Sequence, residues 1–237
     1  MNYYPHYRVS FGGPLTPAVK SILIACGTTF LVQRLAAPDM LAIFGLIPLY
    51  VWKKFFIWQL ATYIFLHGDI WHLIFNMVAL FMFGCELERV WGSRFFWKYF
   101  FVTGIGAGIC TVCFTPATFV PTIGASGAVF GVLLAYALYY PNRIVYFNFL
   151  FPIKIKYLVL IYGIFTFYFS FSGTGGGIAH MAHLGGMLFG FMYLKSDLLI
   201  RILMQPIARL KVMWFRRRFR VIHKNNKKRD DNDTTYH

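Results

Sequence analysis

The sequence contains six apolar runs that are long enough, or nearly long enough, to cross a lipid bilayer. They cover approximately residues 18–37, 72–90, 95–115, 126–141, 155–172 and 178–195. A helix of about 20 mostly apolar residues spans the hydrocarbon core. Hydrophobic residues make up 58% of the chain and charged residues 13%, against about 45–50% and about 25% in soluble domains. The chain is therefore predicted to be an all-α integral membrane protein with six transmembrane helices.

Basic residues beside these runs predict the orientation. They lie before run one, between runs two and three, between runs four and five, and after run six. If the helices alternate in direction, all these segments lie on one side, which the positive-inside rule places in the cytoplasm. We expect both termini there. A six-helix body of this kind is typical of a bacterial cytoplasmic (inner) membrane, where we expect the protein.

The positive charge, +15 in total, is concentrated at the C-terminal end. A basic segment beside a membrane helix favours contact with anionic lipid over nucleic acid. We expect three parts, namely a cytoplasmic N-terminal segment (1–17), a six-helix membrane domain (18–197) and a basic cytoplasmic tail (198–237). We expect the tail to contact anionic lipid, and we expect no nucleic-acid partner.

The connection between runs one and two, residues 38–71, is itself apolar. It carries Trp52 and Trp58 beside Lys53 and Lys54. Aromatic and basic side chains together are typical of the headgroup zone. We therefore predict a membrane-embedded loop.

Run four begins with a serine inside the membrane. From Ser126 to Pro141 the run spans roughly 24 Å at 1.5 Å per residue, which is less than the roughly 30 Å hydrocarbon core. Ser126 is therefore expected below the outer surface, beside a water-filled cavity that the irregular backbone before it needs. Run six starts from the same side, so His183 is expected at a similar depth.

Small residues mark one face of each of these two runs. Gly127 and Gly131 are four apart on run four, and Gly186 and Gly190 are four apart on run six. Such stripes allow close helix contact. If they meet, His183 lies beside the hydroxyl of Ser126, and a serine needs such a base to become a nucleophile. The alternatives are ordinary helix packing, a serine bonded to its own helix and an interfacial histidine.

A second polar cluster lies at the outer end of run two. His72 and Asn76 are four residues apart and share a helix face. Both can donate hydrogen bonds to a carbonyl oxygen that gains negative charge. The alternative is a pair that only joins two helices. His67 and Asp69 are expected to be loop residues just outside.

Three of these segments resemble motifs of the rhomboid family of intramembrane serine proteases, over roughly residues 45–195. "GASGAVFG" resembles the GxSG motif of Gly124, Ser126 and Gly127, and "AHLGGMLFG" resembles the HxxGxxxG motif of the sixth helix. "HLIFN" is similar to the HxxxN element, and "ELERVWGS" to a stretch in which Glu88 stabilises the fold. The three motifs occur in the family's order.

The resemblance implies a rhomboid-like bundle and an intramembrane serine endopeptidase that cuts peptide bonds in or near transmembrane segments of membrane proteins. Ser126 would be the nucleophile and His183 the base, without an acidic third member, metal or cofactor. His72, Asn76 and the backbone N–H of Ser126 would stabilise the oxyanion. Phe130 would support His183, although some relatives have tyrosine there.

Several alternatives remain at this stage. The nearest is a non-catalytic rhomboid-like protein that binds transmembrane segments, a branch that loses the serine or histidine kept here. A metalloprotease using the histidines would need an HExxH motif, and a transporter would need an internal repeat. Neither feature is found. His180 also precedes the glycines of run six, but their spacing favours His183 as the base. His180 is expected to line the cavity or to pack on the outer loop.

Overall fold

The structure is a computed structural model that describes residues 13–36, 39–147, 150–171 and 177–196. The predicted basic tail and most of the predicted N-terminal segment lie outside these residues. The chain divides into two compact units, Met1–Tyr193 and Leu194–His237. The helices and strands of the described residues belong to the first unit, whose last helix ends at the boundary.

The described residues are mostly helical, and a helix lies in each of the six predicted apolar runs. Among the described residues, three helices are long and apolar enough to cross a membrane, namely Pro17–Leu35, Ile70–Trp91 and Ser93–Phe114. The first is α1 and the third is α7, while the second comprises α5 (Ile70–Ala79), a π-helical stretch (Leu80–Gly84) and α6 (Cys85–Trp91). The other three are α8 (Ser126–Tyr139), α9 (Ile155–Phe171) and α10 (Gly177–Leu194).

The apolar connection after α1 is folded into short helices. These are α2 (Met40–Phe44), α3 (Pro48–Lys54), α4 (Gln59–Thr62) and a 3-10 turn (Tyr63–Phe65). The buried Gln59 amide joins them, since it accepts from Ile47 N–H at 3.0 Å and donates to Ile43 O at 3.2 Å. Trp52 and Phe55 remain exposed on the outside. The connection is thus a compact layer beside the bundle.

A β-hairpin connects α8 and α9. Strands β1 (Ile144–Phe147) and β2 (Phe151–Lys154) are antiparallel, with Ile144 opposite Lys154. Sequence analysis predicted only a basic connection at this position. Arg143, just before β1, forms a 2.8 Å ion pair with Glu86 of α6, which ties this end of the bundle together.

Glu88 joins α6 to the start of α1. Its carboxylate accepts hydrogen bonds from Thr16 Oγ1, from the backbone N–H groups of Ala18 (2.8 Å) and Val19 (2.9 Å), and from Ser93 Oγ (2.5 Å). The first N–H groups of a helix have no partner within it, and a carboxylate there also stabilises the helix dipole. Glu88 therefore stabilises the fold, as the resemblance implied.

The centre of the bundle is α7 packed against α8. Half of the α7 residues are buried, and most of α8 is buried as well. The hydroxyl groups of Tyr99 and Tyr63 cross this centre and donate to Gly131 O (2.8 Å) and Gly104 O (2.7 Å). Any side chain at the start of α8 is therefore held by a rigid, well-packed frame.

Candidate active site

Ser126 is the first residue of α8, and the segment before it is fixed by the α2–α4 layer. Thr122 and Leu46 exchange backbone hydrogen bonds of 2.8 and 3.0 Å, and Gly124 N–H donates to Tyr63 O at 2.9 Å. Gly124 has a φ of 114°, a value that residues with a side chain rarely adopt. The backbone N–H of Ser126 lies in the first helical turn, so no carbonyl of its own helix can accept from it.

Glycines allow α8 and α10 to touch backbone to backbone. A Cβ atom placed on Gly186 would lie 1.9 Å from Gly127 O, and one on Gly131 would lie 3.0 Å from Gly186 O. A Cβ on Gly190 would come within 2.5 Å of the Tyr99 hydroxyl oxygen of α7. The two small-residue stripes therefore meet, and only glycine fits at their contact.

This contact brings Ser126 and His183 together. His183 Nε2 lies 2.8 Å from Ser126 Oγ, which is hydrogen-bond distance. The ring of Phe130, one turn after Ser126, stacks on His183 with 4.2 Å between ring centroids and 11° between planes. Tyr162 of α9 packs edge-on against Phe130 at 5.6 Å. The imidazole is therefore held in a plane from which it can take the hydroxyl proton.

The structure brings His72 to the loop just before Ser126. Gly68 N–H donates to His72 Nδ1 at 3.4 Å, which favours the neutral tautomer that carries its proton on Nε2. Nε2 lies 2.6 Å from the position that a Cβ on Gly124 would take. Asn76 is buried, and its Nδ2 donates to His72 O at 2.9 Å within its own helix. One amide hydrogen of Asn76 remains for another acceptor.

His67 lies in a loop, as expected. Its side chain is fully buried and meets the His72 ring edge-on at 5.1 Å. Burial lowers the pKa of His67 to about 4, which keeps the ring neutral at physiological pH. Asp69 is exposed and caps α5 by accepting from His72 N–H at 2.9 Å, and this hydrogen bond lowers the pKa of Asp69.

Gln33 on α1 was not among the predicted site residues, but it is buried and hydrogen-bonded to the backbone of His67. A signal for it existed. An amide in an apolar run must find a partner in the protein, because lipid offers none.

A cavity of about 370 Å³ lies beside His183. Its lining is mostly apolar, and most of it comes from α9. The lining residues are Phe130, Ile153, Leu158, Ile161, Tyr162, Phe165, Thr166, Phe169, His180 and His183. His180 lines this cavity, and its ring stacks on Phe169 at 5.4 Å. This cavity is more apolar than the water-filled one that we expected beside Ser126.

Fold and site together define a helical membrane protein with the side-chain pair that serine hydrolases use. The sequence pattern of the Rhomboid domain matches residues 54–198, which is more than half of the chain. The chain belongs to the rhomboid family.

Among similar proteins, Rhomboid protease GluP of Bacillus subtilis (strain 168) is 37% identical over 136 residues, 56% of this chain and 25% of that protein. RHOMBOID-like protein 4 of Arabidopsis thaliana is 33% identical over 147 residues, 61% of this chain and 34% of that protein. Rhomboid protein 1, mitochondrial, of Saccharomyces cerevisiae (strain ATCC 204508 / S288c) is 30% identical over 142 residues, 54% of this chain and 38% of that protein. The chain thus spans 25–38% of the length of these relatives.

Proposed function

We propose that the protein is an intramembrane serine endopeptidase that cuts peptide bonds in or near transmembrane segments by means of a Ser126–His183 dyad. The observation that carries the proposal is the 2.8 Å contact between His183 Nε2 and Ser126 Oγ. A serine hydroxyl is a weak nucleophile until a neighbouring base accepts its proton. The stacked ring of Phe130 supports the assignment, because it fixes the imidazole in the required orientation.

In the first step, Ser126 Oγ attacks the carbonyl carbon of the substrate while its proton passes to His183 Nε2. The carbonyl π-bond opens, and its electron pair forms an oxyanion. The adduct collapses with cleavage of the C–N bond, and the imidazolium of His183 gives its proton to the departing amine. A water molecule then attacks the acyl-enzyme by the reverse sequence of proton transfers.

The oxyanion would accept hydrogen bonds from the Ser126 backbone N–H and from His72 Nε2–H, and Asn76 would contribute its remaining amide hydrogen. The Nε2 tautomer of His72 and its position against Gly124 support this role. Removal of one such donor typically costs about 2.7–4 kcal/mol in transition-state stabilisation.

The substrates in this proposal are other membrane proteins, since Ser126 lies on an apolar helix within the bundle. The chain would cross the cytoplasmic (inner) membrane six times, with both termini in the cytoplasm and the basic tail against anionic lipid. The basic residues Arg89, Arg94, Arg143, Lys154 and Lys156 support this orientation. They lie near the junction of α6 and α7 or near the connection from α8 to α9, and alternation places both connections on one side.

Cleavage of a single-span substrate in proteoliposomes tests the proposal. The wild-type chain should release two fragments, and Ser126→Ala and His183→Ala should each reduce the rate at least about 100-fold, since a general base contributes about 10²–10⁴-fold. The unfolding midpoint of each variant is compared with that of the wild-type chain, to show that the variant is folded. Wild-type rates in either folded variant would refute the dyad. Substrate binding without cleavage by the wild-type chain would instead favour the non-catalytic rhomboid-like alternative.

A further inference from the structure

Gln33 lies in the last turns of α1 and is 8% exposed. Its amide makes two hydrogen bonds to the backbone of His67. Nε2 donates to His67 O at 2.9 Å, and Oε1 accepts from His67 N–H at 3.4 Å. A polar side chain in an apolar helix is costly unless its hydrogen bonds are satisfied. Both ends of this amide are satisfied by one residue, so the amide holds the backbone at His67 in one orientation.

The side chain after Gln33 on α1 contacts the residue after His67. Arg34, also on α1, donates from Nη2 to Gly68 O. The end of α1 therefore holds backbone groups of two consecutive residues, His67 and Gly68, in the turn that precedes α5. We call residues 67–69 the α1-held turn.

The α1-held turn is the segment that orients His72. Gly68 N–H donates to His72 Nδ1, and Asp69 Oδ1 accepts from His72 N–H at 2.9 Å. The buried His67 ring packs edge-on against the His72 ring. The contacts thus run from Gln33 through His67 and Gly68 to the imidazole of His72.

We propose that Gln33 is a positioning residue for the oxyanion donor His72, which it controls through the α1-held turn. The inference rests on the proposed function. A neutral imidazole has two tautomers, and only the Nε2–H form can donate toward Gly124, which lies two residues before Ser126. The Gly68 N–H selects that form by donating to Nδ1. Gln33 keeps this N–H in place. Loss of the Gln33 amide would therefore allow the other tautomer, whose unprotonated Nε2 repels an oxyanion.

Gln33→Leu, which keeps the volume and removes both hydrogen bonds, tests this role. We expect kcat to fall about 10- to 100-fold with KM changed less than about twofold, since a misplacement of about 1 Å at a reacting site can cost about 10²-fold. Thr28→Leu is the matched control, because Thr28 is an exposed polar residue of the same helix. It should keep the wild-type kcat. Gln33→Met serves as a second variant if Gln33→Leu does not fold.

A double-mutant cycle separates positioning from general stability. If Gln33 acts through His72, Gln33→Leu should cause no further loss in a His72→Ala background, because coupled residues are not additive. The same fold-decrease in both backgrounds would overturn the proposal.

A readout without turnover distinguishes this inference from the proposed function. ¹⁵N spectra of histidine-labelled protein should show the Nε2–H tautomer for His72, identified by its loss in His72→Ala, and a mixture of tautomers in Gln33→Leu. An unchanged His72 signal in Gln33→Leu would overturn the positioning role even if the enzyme is active. If the wild-type chain cleaves nothing, the proposed function is refuted. A His72 signal that changes in Gln33→Leu would still support the positioning role.

Discussion

The substitution Gly186→Ala examines how the backbone contact between α8 and α10 supports the site. The added Cβ would lie 1.9 Å from Gly127 O, 2.7 Å from Gly127 C and 3.3 Å from Gly127 Cα. All three are backbone atoms of a packed helix, so no flexible side chain can move aside. Ordinary contact begins near 3.4 Å, and the two helices must therefore separate by about 1.5 Å at this point.

The separation would reach the dyad directly. His183 lies one turn before Gly186 on α10, and Ser126 adjoins Gly127 on α8. A shift of about 1.5 Å would lengthen the 2.8 Å Nε2–Oγ contact to about 4 Å, which is beyond hydrogen-bond distance. Since a 1 Å error can cost about 10²-fold, kcat/KM should fall at least about 100-fold, equivalent to about 2.7 kcal/mol.

The assay is cleavage of a single-span substrate in proteoliposomes, with the unfolding midpoint measured in parallel. Gly27→Ala is the matched control, because a Cβ there meets nothing within 4 Å and lies on a different helix. It should retain wild-type turnover. If Gly186→Ala also retained wild-type turnover, the close contact would not position the dyad, and this reasoning would be wrong.

Two further predictions concern the oxyanion donors and the anchor of α1. His72→Ala and Asn76→Ala should each lower kcat by about 10²–10³-fold without abolishing turnover, as measured by initial rates, and wild-type rates in both would contradict the oxyanion assignment. Glu88→Ala leaves the buried donors of Thr16, Ala18 and Val19 without their acceptor, so the free energy of unfolding should fall by about 2 kcal/mol or more. Denaturant unfolding measures this loss, and an unchanged value would contradict the anchoring role.

The local features of this fold could be predicted because they depend on short-range patterns. Apolar runs set the helix positions within a few residues, as for α8, expected at 126–141 and found at Ser126–Tyr139. The pairing of Ser126 with His183 was also predictable, since glycines four apart mark the faces on which two helices meet.

Long-range contacts of polar side chains could not be predicted in the same way. Gln33 bonds to His67 and Glu88 bonds to Thr16 across 34 and 72 residues of sequence, and no local pattern selects these partners. The burial of His67 follows from the position of α1 against the α1-held turn. The hairpin of β1 and β2 was not predicted, because each strand has only four residues. So short a segment between two helical runs is interpreted as a connection without regular structure.

The most direct test of the central claim is the mapping of a fluorophosphonate adduct by mass spectrometry on the folded, membrane-embedded chain. A serine is modified by this reagent only when a base activates it. The account predicts one adduct, on Ser126, in the wild-type chain, and its loss in His183→Ala. An unmodified Ser126 in folded wild-type protein, or an adduct that forms equally well without His183, would contradict it.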